Sequence, residues 1–324
     1  MITRSEAIVR IINEDDPDRR IVIRACGTDN VLVELGEITL DLNYRARIYW
    51  IEKTLREMNL DGLIDVSPGV RSFLITFDAL KLSLEKLIEI VIIAERESRN
   101  NELKPIPSRR VYMPIAFHDQ KCLSYIRRYM ETVRPEAPYL PDNMEFVARC
   151  NGLSGIEEVQ EYFLKTEYMV LGLGDVYLGA PCAVPLDPRY RMNAPKYNPA
   201  RTLTPEGAVG IGGAFICIYP MESPGGYQLI GRTVPFWNTW QTNDAFKEAP
   251  WLLRPFDRVN FEPVTEEELD RLAKGVHSNQ YKFRIEEGVF DIAQYNEHLK
   301  EIKEETDRFV KQQTECLEIA TKGY

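Results

Sequence analysis

The sequence is poor in the residues and motifs on which most nucleophilic catalysis depends. It has three histidines among 324 residues, at positions 118, 277 and 298. It contains no G-x-S-x-G, and none of the histidines lies in the glycine-rich region between residues 168 and 233. A Ser-His or Cys-His mechanism is therefore disfavoured, because such nucleophiles need a neighbouring base. A site in this chain would have to act through positioning and electrostatics.

Nucleotide-binding and metal-binding motifs are missing too. No G-x-x-x-x-G-K-S/T occurs, and no G-x-G-x-x-G opens a helix. The six cysteines have no C-x-x-C spacing and no histidine at ligand distance, so they indicate neither a zinc site nor a disulfide framework. We expect reduced and mostly buried thiols, as in a reducing compartment. The cysteines are at positions 26, 122, 150, 182, 217 and 316.

Charge and hydropathy exclude two further classes of partner. The formal net charge is -10 and there is no run of Lys and Arg, which disfavours nucleic acid. No stretch approaches the roughly 18 apolar residues of a membrane span, and the first residues lack the apolar core of a signal peptide. The sequence therefore predicts a cytoplasmic protein that does not contact a membrane.

The apolar pattern of the first hundred residues predicts a small α+β domain. Short β-branched runs at 21–24 and 31–35 indicate a hairpin, and a helix capped by Asp41 follows. Two more strands at 63–66 and 72–77 precede an amphipathic helix at 82–94. The order β-β-α-β-β-α favours helices on one face of an antiparallel sheet. We assign this domain to residues 1–97 and a polar, proline-containing linker to residues 98–110.

The rest of the chain predicts a β-barrel with a helical extension. A strand at 111–116 and three helices near 120–132, 142–150 and 155–164 come first. From 168 to 263, short strands recur every eight to twelve residues, which is typical of a closed or nearly closed barrel. We assign the barrel domain to 111–264 and a helical extension to 265–324. From Ile292 onward an apolar stripe close to a heptad repeat would pack either on its own barrel or on a partner.

The glycine-rich region between residues 168 and 233 holds the candidate site. Its glycines allow close backbone approach, and Asp175 is an isolated carboxylate among small and apolar residues. Asp175 would either fix a turn or accept hydrogen bonds from an amide-like substrate. Lys196 and Tyr197 would be solvated loop residues or donors to a carboxylate or ureido oxygen. Arg232 would be an ion-pair residue or a clamp for a carboxylate.

Several long motifs in this region resemble one known family. They include G-L-G-D-V-Y-L-G-A-P, K-Y-N-P-A-R, T-P-E-G-A-V-G-I-G-G and C-I-Y-P-M-E-S-P-G-G-Y-Q-L-I-G-R-T. Together they resemble the second half of the carboxyltransferase domain of urea carboxylase, within the broader allophanate hydrolase subunit 1 and kinase-inhibitor family. That family usually has a G-F-x-P-G-F-P-Y-L-G sequence where this chain has G-L-G-D-V-Y-L-G. The departure favours the urea carboxylase branch over the 5-oxoprolinase subunits.

The resemblance implies a fold and a reaction. The fold would be a cyclophilin-like barrel after a small α+β domain. The reaction would be the transfer of a carboxyl group from carboxybiotin to urea, giving allophanate, without a metal in this chain. We assign catalytic roles to Asp175, Lys196 and Arg232, which would grip urea, meet its carbonyl and hold the new carboxylate. Binding of substrate or biotin is assigned to Tyr177, Tyr197, Arg201, Gly212, Gly213, Tyr219, Ser223, Gly225 and Gly226.

The resemblance also implies partners, because the chain has no M-K-M sequence for biotin attachment and no ATP-binding carboxylase domain. We expect a companion carboxyltransferase subunit of the allophanate hydrolase subunit 2 type, together with a biotin carboxylase and biotin carrier that use ATP and bicarbonate. The small-molecule substrate would be urea-like. The alternatives are a guanidine or related amide carboxylase subunit, a 5-oxoprolinase subunit, and a regulatory protein that inhibits a kinase.

Overall fold

The protein divides into two compact units in a computed structural model that describes residues 7–174 and 179–322. The first unit runs up to Ile106 and includes Asp291–Tyr295. The second comprises Pro107–Phe290 and the residues from Asn296 on. The domain boundaries proposed from the sequence, at residues 97, 110 and 264, remain predictions. None of the helices in the described ranges has both the length and the apolar character needed to cross a bilayer.

The first unit is a five-stranded antiparallel sheet with two helices. The predicted hairpin and both later strands are confirmed, and the sheet order is β1-β2-β3-β5-β4. The sequence analysis missed β1, an edge strand whose side chains are at most half-buried. The elements are β1 Ile8–Ile12, β2 Ile21–Ala25, β3 Asn30–Leu35, α1 Leu42–Glu57, β4 Leu63–Pro68, β5 Ser72–Phe77 and α2 Leu84–Ser98.

Both helices of the first unit cover the same face of its sheet. Val31 and Val33 of β3 point into one core with residues of α1 and α2, while the residues between them remain partly exposed. The side chain of Asp41 accepts a hydrogen bond from the Asn43 N–H, as expected of the predicted N-cap. The period-two alternation of apolar residues in the strands and their helical spacing in the helices therefore predicted this sheet and its two helices correctly.

The second unit is a closed seven-stranded barrel. Its strand order is β13-β10-β11-β8-β7-β14-β6, and pairing of β13 with β6 completes the circle. The predicted barrel is thus confirmed, and β9 and β12 form a separate two-stranded ladder beside it. The strands are β6 Ile106–Phe117, β7 Tyr168–Leu173, β8 Pro181–Pro185, β9 Arg201–Thr204, β10 Ala208–Gly212, β11 Phe215–Ile218, β12 Ser223–Gly225, β13 Gln228–Thr233 and β14 Arg258–Pro263.

Strand β6 begins inside the segment that the sequence analysis assigned to a linker. Its first residues include polar side chains that are buried because they are paired: the Ser108 hydroxyl donates to the Phe256 carbonyl at 2.7 Å. The Arg109 guanidinium donates to both carboxylate oxygens of Asp257, at 2.9 and 2.6 Å. A local sequence pattern does not reveal partners nearly 150 positions away, so the polar start of this strand was interpreted as a linker.

The remaining α-helices lie in the chain between β6 and β7 and after β14. The three predicted helices are confirmed as α3 Gln120–Thr132, α4 Asn143–Asn151 and α5 Ile156–Leu164. After the barrel come α6 Glu266–His277, α7 Ile292–Glu301 and α8 Lys303–Ala320. The Thr265 side chain caps α6 by accepting from the Glu268 N–H, and Glu266, Glu267 and Glu268 form an acidic first turn.

The predicted helical extension at 265–324 contains three helices, but it also contains a strand that was not predicted, β15 (Arg284–Phe290), between α6 and α7. This strand extends the sheet from the edge of β6 and is largely exposed. It is held by polar contacts: Tyr112 donates to Glu286 at 3.1 Å, and the Arg284 guanidinium lies 3.2 Å from the Tyr112 ring centroid. A strand without an apolar face gives no period-two pattern.

Helix α8 packs against its own unit, on α4 and the turn Pro188–Tyr190. The predicted stripe is buried at Phe309 and Gln313. The polar Gln313 fits there because its amide donates to Asn151 Oδ1 at 2.7 Å and to the Arg191 carbonyl at 2.9 Å. Of the two alternatives for the stripe, the structure therefore shows packing on the chain itself.

Candidate functional site

A cavity of about 240 Å³ lies on the outer side of the barrel wall. Strand β11 explains its position, because Ile216 and Ile218 face the barrel core while the alternate residues Cys217 and Tyr219 face outward. The outward residues form one wall, and the segments around residues 196–200 and 224–227 form the others. The side chains that dominate the lining are Lys196, Tyr197, Cys217, Tyr219, Pro224 and Tyr227.

Glycines shape the cavity by allowing aromatic rings to lie against the backbone. A Cβ on Gly212 would lie 2.7 Å from the Tyr227 ring, so this ring can rest on β10 only because the side chain is missing. A Cβ on Gly225 would lie 2.2 Å from the Tyr219 hydroxyl oxygen. The neighbouring Gly226 carbonyl accepts a 2.6 Å hydrogen bond from the Tyr197 N–H, which joins two walls of the cavity.

Lys196 supplies positive charge at the opening of the cavity. Its side chain is exposed, and its Nζ lies 4.6 Å from the Tyr227 ring centroid in a cation–π contact. Among the described residues that line the cavity there is no carboxylate. The remaining lining is mostly aromatic and aliphatic, so the cavity combines apolar walls with one cation.

A second cation is buried behind the cavity wall. Arg201 is 1% exposed, and its guanidinium lies 4.3 Å from the Tyr197 ring centroid. It donates to Thr204 Oγ1 at 3.2 Å and to the Tyr227 carbonyl at 2.8 Å. Neither of these partners is a carboxylate, so its charge adds to that of Lys196. Both cations favour an anionic group in the cavity.

Tyr197 is a buried connection between the cavity and α4. The Asn143 amide donates to its hydroxyl at 2.8 Å, and that hydroxyl lies 3.0 Å from Asn143 Oδ1. Burial raises the pKa of Tyr197, although nearby Arg201 partly opposes this effect. The phenol therefore remains protonated at neutral pH, and it acts as a neutral hydrogen-bonding group.

The structure brings together five of the residues predicted for the site: Lys196, Tyr197, Tyr219, Gly225 and Gly226 line the cavity. Arg201 lies directly behind Tyr197, and Gly212 supports the Tyr227 ring. Gly213 instead forms the turn before β11, with φ of +60° and a 2.7 Å hydrogen bond from its N–H to the Ala194 carbonyl. Ser223 is buried in β12 opposite Thr204, away from the lining. Asp175 and Tyr177 lie outside the described residues.

Arg232 is ion-paired within the protein and does not line the cavity. Its Nη2 lies 2.9 Å from Asp119 Oδ2 and 2.6 Å from Asp270 Oδ1, and its Nε also donates to Asp119 at 3.0 Å. Burial lowers the pKa of Arg232, but these hydrogen bonds outweigh it and the pKa is raised. Its Nε and Nη2 donors are thus taken up by carboxylates of the same chain. The predicted role in holding a substrate carboxylate gains no support from this geometry, which matches the ion-pair alternative.

The sequence analysis missed other residues of the cavity and its support, among them Tyr227, Cys217 and Asn143. Tyr227 directly follows Gly225 and Gly226, which were predicted, so its position in the sequence could have identified it as a site residue. Cys217 alternates with core residues along β11, so the period of the strand could have placed it on the outer face. Asn143 lies 54 positions before its partner Tyr197, and no local pattern joins the two. In the part of the chain that the structure describes, no group of three or more His, Cys, Asp or Glu is placed to hold a metal.

Comparisons with known proteins agree on one family. Residues 21–247 match the model of the carboxyltransferase domain, subdomain C and D. Urea amidolyase of Lachancea kluyveri is 42% identical over 306 residues, which are 94% of this chain and 17% of that protein. The crystal structure of Kluyveromyces lactis urea carboxylase covers 98% of this chain with a TM-score of 0.88 and 38% identity, over 29% of its own length.

A shorter relative matches over nearly its whole length. A 5-oxoprolinase subunit of Bacillus subtilis is 38% identical over 261 residues, which are 77% of this chain and 95% of that subunit. The chain thus spans about a sixth of its urea amidolyase relative but covers almost all of this bacterial subunit.

Proposed function

The chain belongs to the family of carboxyltransferase domains, subdomain C and D, and we propose that it is the carboxyltransferase part of a biotin-dependent enzyme that converts urea to allophanate. The proposal follows the likeness to urea amidolyase and urea carboxylase over almost the whole chain. Within that proposal the barrel is of the cyclophilin-like type, and the protein works in the cytoplasm.

One observation carries the proposal: the cavity has apolar, aromatic walls and a cation, and none of its described lining residues is an acid. Its volume of about 240 Å³ is below the roughly 300 Å³ at which drug-sized pockets begin, so it suits a small group. Such a lining fits the flat ureido ring of biotin with an attached carboxylate, because the aromatic residues can cover the ring while Lys196 meets the charge.

Biotin, when bound, would supply the carboxyl group for transfer. The chain's own residues would position it and exclude water: Lys196 would offset the negative charge, and Tyr219 and Tyr227 would keep the cavity dry. Asp175 would accept hydrogen bonds from the N–H groups of urea, since urea offers four donors and one acceptor. These roles are supported by charge and chemistry, and they assign no proton transfer to a buried phenol such as Tyr197.

The proposal requires partner proteins or domains. A companion carboxyltransferase half would complete the site, and a biotin carboxylase with a biotin carrier would use ATP and bicarbonate. The small share of the urea amidolyase relative that this chain covers supports the view that other functions lie elsewhere.

The test is turnover by an assembly recovered with the full chain. We expect consumption of urea that depends on ATP and bicarbonate and is inhibited by avidin. Lys196→Met should reduce turnover about a hundredfold, which is the smaller end of the range for the loss of an electrostatic group. Lys311→Met is the matched control, because Lys311 is also exposed but lies on α8.

Two results would overturn the proposal. An assembly that contains biotin, does not consume urea and does consume guanidine would show that the substrate is guanidine and not urea. Equal activity of Lys196→Met and Lys311→Met would show that the cation of the cavity does not contribute to turnover.

A second candidate is a subunit of a 5-oxoprolinase. It is favoured by the alignment with 95% of the Bacillus subtilis 5-oxoprolinase subunit, which spans 77% of this chain. In that case 5-oxoproline, rather than urea, would stimulate ATP hydrolysis by the assembly, and avidin would have no effect. The same purified material decides between the two candidates.

A further inference from the structure

We propose that Cys182 and Cys217 form an oxidisable dithiol site at the wall of the cavity, where a small disulfide oxidant of the glutathione class links them. The inference concerns the chemistry of these two thiols and is independent of the proposed function. Cys182 belongs to β8 and Cys217 to β11, and both are thiols in the structure.

The strand register places the two cysteines face to face. Strands β8 and β11 are antiparallel, and Cys182 is the direct partner of Cys217. Directly opposed residues in antiparallel strands have Cα atoms about 4.5 or 5.5 Å apart, and both spacings fall within the roughly 4.4–6.8 Å of disulfides. The register therefore meets the first geometric requirement for a bond between these sulfurs.

The two side chains also lie on the same face of the barrel. The neighbouring pair, Ala183 and Ile216, belongs to the barrel core. Since side chains alternate along a strand, Cys182 and Cys217 both point to the outer face. Cys217 lines the cavity although its side chain is buried, and its strand partner Cys182 is half-buried. A small reagent can thus reach the pair through the partly exposed Cys182, with Cys217 as the resolving thiol.

The other cysteines lack this combination of pairing and access. Cys122 is buried, and burial raises the pKa of its thiol, which makes it a poor thiolate. Burial raises the pKa of the Cys150 thiol to about 12, so its neighbour Cys316 has an unreactive partner. Cys26 is exposed on the first unit.

The reaction balances as thiol–disulfide exchange. The thiolate of one cysteine attacks the oxidant's disulfide and forms a mixed disulfide, releasing one glutathione thiol. The second cysteine then attacks the protein sulfur and expels the other glutathione thiol. The protein loses two protons and two electrons, and the oxidant is reduced to two thiols. The new bond would tie β8 to β11 at the cavity wall.

The test is peptide mapping of the full chain after treatment with oxidised glutathione and blocking of the remaining thiols by alkylation. Arg189, Arg191, Lys196 and Arg201 separate the two cysteines, so trypsin releases them on different peptides. We expect a disulfide-linked pair of these peptides, and parallel loss of both thiols from the alkylated fraction. Cys182→Ser should abolish the linked pair, whereas Cys316→Ser should leave it intact.

Two outcomes would overturn the inference. One is full alkylation of both cysteines after oxidant treatment that modifies Cys26. The other is separate glutathione adducts on Cys182 and Cys217 that never resolve to a linked pair. Both are read on the unaltered protein, so a variant that fails to fold does not affect the decision. Turnover of urea does not enter the measurement, so failure here leaves the proposed function untouched.

Discussion

Arg232 illustrates how a residue in a suggestive motif can serve the fold. It lies in L-I-G-R-T, yet its guanidinium bonds to Asp119, whose side chain has no solvent exposure. Removing one partner of a buried pair leaves an uncompensated charge, which typically costs about 3–5 kcal/mol. We therefore expect Arg232→Met to lower the free energy of unfolding by about that amount, measured by urea denaturation at pH 7.

The control for this prediction is Arg254→Met, because Arg254 forms an exposed pair with Glu248. Such surface pairs contribute about 0–1 kcal/mol, so this variant should remain near the parent protein. An Arg232→Met protein of unchanged stability that loses turnover would instead favour the catalytic role suggested by the sequence.

Glu206 gives a prediction that depends on pH. Burial raises the pKa of this carboxyl, and nearby His277, Lys121 and Arg232 only partly oppose the effect. A carboxyl whose pKa is higher in the folded than in the unfolded protein is easier to bury when protonated, so its contribution to stability is lost as pH rises. Glu206→Gln should therefore stabilise the protein at pH 7, and this advantage should shrink as the pH falls through the raised pKa of Glu206 and be absent below about pH 4.3.

Thermal unfolding of Glu206→Gln and of the parent, at pH 7 and below about pH 4.3, would measure this difference in stability. Glu248→Gln, at an exposed position, controls for the loss of one negative charge from the whole protein. A Glu206→Gln protein that is less stable at pH 7 would show that the carboxylate is stabilised by contacts that oppose its desolvation.

For single residues, the sequence predicted which side chains lie at the cavity better than it predicted the role of each side chain. Lys196, Tyr197 and Arg201 come from one motif, and all three lie in the wall or directly behind it. Because these residues are close in the chain, a local motif could predict that they lie together. Arg232 and its partner Asp119 are 113 positions apart, so the choice between an ion pair and a substrate clamp required the folded chain.

The last residue of β12, Gly225, and the residue after it, Gly226, offer a matched test at the level of elements. A Cβ added to Gly225 would collide with the Tyr219 hydroxyl, whereas a Cβ on Gly226 would meet Lys196 Cβ at an ordinary 3.5 Å. Gly225→Ala should cost about 1–3 kcal/mol through overpacking, or shift Tyr219 in the cavity. Gly226→Ala should be close to neutral.

Denaturation curves and the near-UV circular dichroism of the tyrosines would report both effects in the two variants. Similar stability and spectra for Gly225→Ala and Gly226→Ala would show that Tyr219 does not pack on Gly225 as the structure has it.

Elements with an apolar face were predictable, and elements without one were not. The barrel strands and helices α3, α4 and α5 carried clear periodicity and were confirmed. Strands β1 and β15 were missed because each is a sheet edge held mainly by backbone pairing and polar contacts. The docking of α8 could not be chosen in advance, since it depends on Gln313 reaching Asn151, far away in the chain.

At the scale of the whole molecule, the family was readable from the sequence and the substrate was not. Long motifs in the right order carry the family resemblance, and the match to residues 21–247 confirms it. The cavity contains apolar walls and a cation, which favour an anion but do not select urea over a related amide. Substrate choice in such a site rests on the few groups that contact the donors of the substrate.

The proposed function therefore makes a prediction about exchange between relatives. This chain should replace the aligned segment of Lachancea kluyveri urea amidolyase, because 94% of it aligns there. We expect the purified chimera to break down urea within about tenfold of the parent rate, a change in barrier of about 1.4 kcal/mol. A parallel chimera carrying the Bacillus subtilis 5-oxoprolinase subunit is the control, since that subunit is 38% identical over 77% of this chain but belongs to an enzyme named for another substrate. A folded chimera of this chain that is as inactive on urea as the control would favour the 5-oxoprolinase candidate, because the same cavity would then have failed with all other parts of a urea-degrading enzyme in place.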